Sequence, residues 1–486
     1  MATSRRRRKA PKTRGPKVLL LAVVVAAACA AAYPLWGHFQ PESTDASEPS
    51  DLTVRYRTTT DGDPDGDSGV DTDAARPSLE IFNVSGSSVP LSEVVLRYYF
   101  TADGGTAYAF NCAEAAMGCS NVTGTVRALE SASETADHYL EIGFTRQAGA
   151  LKAGANSRGL ELQLFRTDGK PLKQDNDWSF DGAKDTYREF DRITAYRGGA
   201  LVWGKGPGGK GGAAGPAPRA GSAVTLPRRA AFNNFNYLGP KDPALFKHGW
   251  LVRTSRGGPG IEGTWTGEGV SFPADDTAQD GQAVRLRAST DGTRPGTRQA
   301  GIGSKEPKFR AGTYAARVHF TDKPTSGRNG DPINQTFFTI GGSGTKYSEL
   351  DYEYMPNGGW GAPGPKLDTT SWRNADKGDR VTRKTEESLA GWRTMMITID
   401  ESGVTYSMDG RTLYRNGKDY TPRADMAVQF NTWFVELEFT GERVWDMKVD
   451  WVYHQAGATL SAKEVERIAE GFRDSGVNYF DTMPAS

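Results

Sequence analysis

Alternating hydrophobic and polar residues dominate the chain after about residue 50 and predict β-strands rather than helices. In the first half, the strand-like runs are SLEIFNV, SEVVLRYYF, HYLEIGF, GLELQLF and RITAYRGGALVW, separated by Gly, Pro, Asn and Asp. In the second half, they include TYAARVHF, QTFFTI, YSELDYEYM, MAVQFNTWFVELEF and DMKVDWVYH. The predicted fold class is therefore all-β, with two antiparallel β-sandwich (jelly-roll) domains.

Two later stretches depart from the strand pattern. Residues 204–223, GKGPGGKGGAAGPAPRAGSA, have the composition of a Gly/Pro-rich linker. In SAKEVERIAEGFRDSG, apolar residues recur at helical spacing behind a capping-box pair, Ser461 and Glu464, which predicts a short C-terminal helix. The predicted segments after the leader are 52–207 for the first domain, 208–229 for the linker, 230–456 for the second domain and 457–486 for the C-terminal extension.

The N-terminal pattern is typical of an export signal. Residues 1–40 join the basic run SRRRRKAPKTRGPK to the apolar run VLLLAVVVAAACAAAYPLW. The apolar run is long for a signal peptide and about long enough to span a bilayer, while AAA before Tyr33 fits a cleavage site. We therefore expect an extracellular protein, either anchored in the membrane by this segment alone or secreted after cleavage.

Composition narrows the expected partners. The 59 Lys and Arg residues balance 59 Asp and Glu residues, so no net charge favours nucleic acid as a partner. The 11 tryptophans offer flat aromatic surfaces of the kind on which sugar rings stack, and we expect a monomer that binds polysaccharide. Cys29 lies in the apolar leader, so Cys112 and Cys119 are the pair expected to form a disulfide in an oxidising compartment.

Residues 348–356, SELDYEYMP, alternate strictly and suggest a catalytic strand. In a β-strand the acids would share one face and the apolar residues the other: Glu349, Asp351 and Glu353 against Leu350, Tyr352 and Tyr354. A retaining glycosidase needs two carboxyl groups about 5–5.5 Å apart, one as nucleophile and one as acid/base. Mutual repulsion would raise the pKa of one carboxyl and keep it protonated as the acid. The alternative is a solvated acidic strand, which usually mixes charges or carries Ser and Thr.

The chain around this strand resembles glycoside hydrolase family 16, the endo-acting β-glucanase jelly roll related to legume lectins. GIGSKEPKFRAGTYAARV, NQTFFTI, SMDGRTLYR and KVDWVYH resemble its segments, and SELDYEY matches its E-x-D-x-E signature, within about residues 260–455. The resemblance implies Glu349 as nucleophile, Asp351 as helper and Glu353 as acid/base. It also implies sugar contacts by four residues, Tyr347, Asn431, Trp433 and Arg317. Asp450 matches a position that helps to bind a structural calcium.

The predicted activity is that of an O-glycosyl hydrolase without a catalytic metal. The signature lacks the extra residue of the E-x-D-x-x-E form common in β-1,3-glucanases, which favours β-1,3-1,4-glucan over β-1,3-glucan as substrate. Trp360 and Trp372 lie in a segment without a family counterpart, where they either line a subsite or pin a long loop. The alternatives are a non-catalytic, lectin-like polysaccharide-binding protein and a cell-wall transglycosylase.

Five segments occur in order in the first domain: LRYYFTADG, NVTGTV, DHYLEIGF, NDWSFD and ITAYRGGALVWGKGP. Together they resemble the family 3 cellulose-binding module, a nine-stranded jelly roll, and the resemblance covers nearly all of residues 52–207. The resemblance implies a structural calcium held by oxygen atoms of two loops: Thr101, Asp103, Asn176 and Asp177, with the main-chain carbonyl of Lys173. It also implies a flat cellulose-binding strip, but here Gly169 replaces a Trp and Ala113-Glu114 replaces an Asp-His or Asp-Trp pair. Binding to flat cellulose is therefore expected to be weak.

Overall fold

The computed structural model describes residues 51–58, 71–208, 224–437 and 440–484. All of them belong to one compact unit, Pro49–Ser486. The predicted leader, residues 1–40, and most of the predicted linker, residues 209–223, lie outside the described residues. None of the helices described is long and apolar enough to cross a membrane.

Residues 51–58 and 71–208 form a β-sandwich, called the module below. One sheet has six strands in the order Arg188–Glu189, Leu52–Thr58, Pro77–Asn83, Leu160–Arg166 and Ala74–Ala75, with Tyr108–Ala115 also paired to Leu160–Arg166. The other sheet has five, in the order Ala200–Trp203, Thr194–Arg197, Val94–Phe100, Ala136–Phe144 and Val122–Ser133. Two small sheets pair Ala150–Leu151 with Val89–Pro90 and Leu172–Lys173 with Asp71–Thr72. The aliphatic side chains that alternate inward from both sheets form the core, as the period-2 pattern predicts.

Residues 224–437 and 440–484 form a second, larger sandwich, called the second domain. Its seven-stranded sheet runs Trp250–Val252, Ala300–Ser304, Ala427–Phe434, Ile333–Gly341, Ser348–Met355, Lys366–Asn374 and Asp379–Thr385. Its ten-stranded sheet runs Val270–Ser271, Val284–Thr290, Arg443–Ala456, Gly312–Phe320, Gly391–Asp400, Gly403–Met408 and Arg411–Gly417, with Ala230–Asn233, Ser326–Gly327 and Tyr479–Asp481 attached at Arg443–Ala456 and at one another. Gly358–Gly359 pairs separately with Ala362–Pro363.

Helices contribute little to the described structure. Helix α1 is Pro243–Lys247, and helix α2 is Ala462–Asp474. Single 3₁₀ turns occur at Leu91–Glu93, Cys119–Asn121, Arg146–Ala148, Gly267–Gly269, Gly344–Lys346 and Lys418–Tyr420. The side chains of Ser461 and Glu464 form the expected capping box of α2. The predicted all-β class, the two sandwiches and the short C-terminal helix are therefore confirmed.

The acidic strand, Ser348–Met355, is held by its apolar face. Leu350, Tyr352 and Tyr354 are fully buried between the two sheets of the second domain. The Tyr352 hydroxyl lies 2.6 Å from the carbonyl oxygen of Met396 and 2.9 Å from that of Ser407, both on the ten-stranded sheet. The core contacts and this polar contact tie the acidic strand to the opposite sheet.

Replacing Leu350 by Ala should therefore destabilise the second domain. The substitution removes a fully buried side chain and leaves a cavity, so we expect the free energy of unfolding to fall by about 2–5 kcal/mol. Calorimetric unfolding of the full chain measures this loss. The control is Leu251→Ala, whose side chain is 43% exposed, and equal destabilisation by both variants would contradict the packing argument.

Candidate functional site

A cleft of about 1110 Å³ lies on the outward face of the seven-stranded sheet. Its lining includes all three acids of the Ser348–Met355 strand, Glu349, Asp351 and Glu353, together with Trp360 and Trp433. The predicted alternation is therefore realised, because the acids face the cleft while their neighbours face the core. An open concave site with converging polar groups is the usual form of a ligand-binding site.

Two hydrogen-bond donors next to the acidic strand contact the carboxyl groups of Glu349 and Asp351. The Tyr347 hydroxyl donates to Oε2 of Glu349. Trp372 stands opposite Glu349 on the next strand, and its Nε1 donates to Oδ2 of Asp351 over 2.9 Å. Glu349 and Asp351 lie close enough for the charge of one to act on the other carboxyl, and protonation of one of them relieves this repulsion.

Asp351 is the carboxyl that holds this proton. Its side chain is almost completely buried, and burial raises its pKa well above the usual value, with the charges of Glu349 and Glu353 adding to the effect. Burial also raises the pKa of Glu349, but the donors Tyr347 and Asp351 oppose the rise and favour the ionised form. The arrangement therefore stabilises a carboxylate at Glu349 beside a neutral Asp351.

Glu353 has different surroundings. Asn334 on the neighbouring strand donates from Nδ2 to Oε1 of Glu353 over 2.9 Å. Burial raises the pKa of Glu353 to about 7; the charges of Asp368 and Glu349 add to the rise, while Asn334 and Lys366 oppose it. Glu353 can therefore be protonated near neutral pH while Glu349 is ionised, which is the distribution an acid and a nucleophile need.

The buried pair Lys366 and Asp368 was not identified from the sequence. Asp368 stands directly opposite Glu353 on the next strand, and Nζ of Lys366 lies 2.8 Å from Oδ2 of Asp368. Both residues are at most 9% exposed. Lys366, Asp368 and Trp372 occupy alternate positions of the segment KLDTTSW, so the sequence predicts that they share one face of a strand. Only strand pairing shows that this face lies beside Glu353.

Two of the predicted sugar contacts, Trp360 and Trp433, line the cleft. The rings of Trp360 and Trp433 lie 6.0 Å apart between centroids, and Trp360 is 56% exposed. Asn431 lies on the same strand as Trp433 and is fully buried, and neither atom of its amide has a hydrogen-bond partner among the described residues. Tyr347, another predicted sugar contact, donates from its hydroxyl to Glu349.

Arg317 is not brought to the cleft. It lies on the ten-stranded sheet between the core residues Ala316 and Val318, so alternation directs its side chain away from the core of the sandwich. There its guanidinium contacts Oδ2 of Asp450 and stacks on Trp392, 4.3 Å from the ring centroid. This guanidinium offsets the charge of the buried Asp450, but Oδ1 of Asp450 has no hydrogen-bond partner among the described residues, and a calcium contact there stays a prediction.

The five residues expected to hold calcium in the module do come together. Thr101 donates from its main-chain N–H to Oδ1 of Asp177 over 2.8 Å, and Asn176 donates from Nδ2 to Oδ1 of Asp103 over 3.0 Å. Lys173 takes part through its main-chain N–H, which lies 2.8 Å from Oδ2 of Asp103, rather than through the expected carbonyl.

The donor set of this cluster fits calcium. Burial, with the nearby charges of Asp103 and Asp137, raises the pKa of Asp177 to about 8, and Oδ1 of Asn176 is buried without a partner among the described residues. A bound cation would favour the ionised form of Asp177 and would give Oδ1 of Asn176 a partner. The described residues contain no group of three or more His, Cys, Asp or Glu side chains that could hold a metal, so Thr, Asn and main-chain oxygens would have to complete the shell.

Cys112 and Cys119 form a disulfide that closes a short loop at the end of Tyr108–Ala115, with their α-carbons 5.4 Å apart. Glu114, on the same strand, pairs with Lys247 of the second domain over 2.8 Å. Gly169 lies in a turn with open space around the position of a Cβ atom, and its φ is +72°. The positions where a cellulose-binding strip was expected therefore carry no aromatic side chain.

Comparison with known proteins assigns the module. The sequence model of the cellulose binding domain family matches residues 65–204. Exoglucanase-2 of Thermoclostridium stercorarium is 46% identical over 133 residues, which are 27% of this chain and 14% of that protein. An uncharacterized protein in celA 5'region of Paenibacillus lautus is 36% identical over 141 residues, 28% of this chain and 96% of that protein. Anti-sigma-I factor RsgI4 of Acetivibrio thermocellus is 37% identical over 129 residues, 26% of this chain and 24% of that protein.

Among solved structures, a biomass sensing module from RsgI-like proteins of Clostridium thermocellum is 32% identical, and the match covers 32% of this chain and 99% of that chain with a TM-score of 0.30. The matched region spans between 10% and 22% of the length of four enzymes it resembles, two endoglucanases, an exoglucanase and a xyloglucanase. Through residues 65–204, this chain belongs to the family 3 cellulose binding domains.

Proposed function

We propose that the second domain is an extracellular, retaining endo-β-glucanase. The observation that carries the proposal is the set of three carboxyl groups on one cleft-facing strand, with donors that favour an ionised Glu349 and surroundings that favour a protonated Glu353. The resemblance of about residues 260–455 to glycoside hydrolase family 16 supports the same roles. The cellulose binding domain in the same chain supports a plant or cell-wall polysaccharide as partner.

The proposed reaction has two displacements. In the first, Glu349 attacks the anomeric carbon while Glu353 gives its proton to the glycosidic oxygen, so the bond to the leaving sugar breaks and a glycosyl–Glu349 ester forms. In the second, Glu353 takes a proton from water, whose oxygen attacks the anomeric carbon and releases Glu349. Asp351, held by Trp372, donates to Glu349 and stabilises the carboxylate before attack and after release.

The remaining features refine the substrate and the setting. Trp360 and Trp433 would provide the stacking surface for sugar rings. The signature without the extra residue favours β-1,3-1,4-glucan, with β-1,3-glucan as the second choice. The disulfide and the basic and apolar N-terminal runs support an extracellular location, either anchored or secreted.

Replacing Glu353 by Gln should reduce kcat on lichenan by about 10²–10⁴-fold, because the leaving oxygen loses its acid. Glu349→Gln should abolish measurable turnover, because the nucleophile is lost. Release of reducing ends from lichenan, laminarin, agarose and xylan provides the measurement. The matched control is Glu401→Gln, an exposed turn residue far along the chain from the cleft strand, which should keep wild-type activity.

Two outcomes would contradict this proposal. Activity that survives Glu349→Gln would refute the assigned nucleophile. Intact binding of glucan without release of reducing ends from any of the four polysaccharides would show a lectin-like binding protein instead.

The alkaline limb of the pH–rate profile should follow Glu353, because its acid form disappears as pH rises through its pKa of about 7. Asp368→Asn removes a negative charge beside Glu353, so its pKa should fall and the limb should move to lower pH. Lys366→Met removes a positive charge, so the limb should move to higher pH. Shifts of both variants in the same direction would contradict the electrostatic assignment; kcat/KM on lichenan against pH is the measurement.

We further propose that the module binds a structural calcium through Thr101, Asp103, Asn176 and Asp177, with Lys173 at the edge of the site. The melting temperature of the full chain should be higher in calcium chloride than in EDTA, and Asp177→Asn should remove the difference. Calcium affinity should fall as pH drops below about 8, since the Asp177 carboxyl must lose its proton to bind. Asp185→Asn, at an exposed position, is the control, and a calcium response retained by Asp177→Asn would contradict the site.

A further inference from the structure

Part of the outward face of the module's six-stranded sheet is buried. Along Tyr108–Ala115 and Leu160–Arg166, every second side chain points away from the module core and would meet water in an isolated sandwich. Four of these residues are instead only 3%, 2%, 4% and 1% exposed: Ala109, Asn111, Gln163 and Phe165, called the docking face below. Because the module itself lies on the other side of the sheet, the second domain must supply the cover.

Part of this cover is apolar. Ala109 and Phe165 of the docking face cluster with Ala74 on the neighbouring strand, and Leu238 of the second domain packs against the three. Burial of such a cluster stabilises association in the same way as burial in a protein core. The contact joins residues that are far apart in the sequence and does not involve the predicted linker.

A buried hydrogen-bond chain crosses the same boundary. Asn233 donates from Nδ2 to the Tyr237 hydroxyl over 2.6 Å, and that hydroxyl lies 2.9 Å from Nδ1 of His248. Nε2 of His248 lies 3.1 Å from the carbonyl oxygen of Cys112 in the module. Burial lowers the pKa of His248 to about 4, so the ring is neutral at physiological pH. The neutral ring donates from Nε2 to Cys112 and accepts at Nδ1 from Tyr237, which leaves no unpaired group in the chain.

Further polar contacts come from three separate segments of the second domain. Near residue 226, the Gln147 side chain donates to the Leu226 carbonyl over 2.8 Å. In the segment that covers the docking face, Gln163 donates to Oδ1 of Asp242 over 3.3 Å and Asn111 donates to the carbonyl of Asn236. Near the C-terminus, Gly124 N–H donates to the Gly476 carbonyl and Asp481 N–H to Ser120 Oγ, each over 2.9 Å.

We propose that the docking face is a permanent interface with the second domain of the same chain, so that the module is part of one rigid body and not an arm that offers this face to polysaccharide. Three observations carry the inference: near-complete burial of the face, a cross-boundary apolar cluster, and buried polar groups that find their partners across the boundary. Separation would expose the apolar cluster and break the His248 chain. Any polysaccharide contact of the module therefore uses another of its surfaces.

Cutting the chain between the two domains tests the interface directly. A site for a specific protease is placed in the Gly/Ala/Pro-rich residues 209–223 of the full chain, which is then cleaved completely. We expect the two halves to elute together from a size-exclusion column at the position of the uncut chain, at micromolar concentration and physiological salt. Elution as two separate species would overturn the proposal.

Variants locate the association on the docking face. In the cleaved protein, Leu238→Asp places a charge against Ala74, Ala109 and Phe165 and should raise the dissociation constant of the halves at least 100-fold. Leu201→Asp, at a position of the module that is 51% exposed, is the matched control and should leave it unchanged. Equal dissociation constants for the two variants would overturn the assigned face. Circular dichroism of each uncut variant verifies that its β-structure is intact.

A charge-reversal pair provides a second test that does not disturb the apolar cluster. Lys247 and Glu114 pair across the boundary but are 46% and 64% exposed, so Lys247→Glu should raise the dissociation constant only about two- to fivefold at low salt. Adding Glu114→Lys to the same chain should restore the original value, because the pair is re-formed with its charges exchanged. Failure of the double variant to recover would contradict the interface seen here.

Discussion

The crowding of three carboxyl groups on one face of a single strand is the constraint on which the second domain depends. Repulsion and dehydration would drive Glu349, Asp351 and Glu353 apart or into water if the strand could move. It cannot move, because the opposite face of the strand is locked into the core and Tyr352 is bonded to the other sheet. The sandwich therefore provides the stability that keeps an unfavourable set of charges in place.

The same crowding determines which of the three carboxyl groups is protonated. With a neutral Asp351 between them, the two outer carboxyls no longer face a full negative charge at the centre of the strand. Tyr347 and Trp372 then favour a negative charge at the Glu349 end of the strand. At the Glu353 end, Lys366 and Asp368 form an ion pair whose opposite charges nearly cancel. Elsewhere in the domain, the charge of the buried Asp450 is offset by the guanidinium of Arg317, which contacts one of its two carboxylate oxygens.

The two sandwiches use their outward sheet faces differently. In the second domain, the face of the seven-stranded sheet lines an open cleft, so its polar residues remain available to a ligand. In the module, part of the face of the six-stranded sheet is closed by the second domain, and its polar residues find partners across the boundary. Membership of the cellulose binding domain family therefore assigns the fold of the module, whereas its contacts with the second domain limit which surfaces it can offer to a ligand.

Local sequence patterns determined the fold class of this protein and the faces of its strands. Period-2 alternation is a property of the extended backbone, so the all-β class, the face shared by Glu349, Asp351 and Glu353, and the buried Leu350, Tyr352 and Tyr354 could be predicted from order alone. The capping box of the C-terminal helix is equally local. The two oxygen-rich loops of the module were found through their resemblance to a known family.

Only the tertiary structure decided which residues meet across strands and domains. Asn334, Lys366 and Asp368 reach Glu353 through strand register, which the alternation of one strand does not contain. Arg317 has the residue type of a sugar contact, but its strand belongs to the opposite sheet. The docking face of the module has the sequence of an ordinary half-polar strand face, and it is buried because residues more than 60 positions away in the second domain fold over it.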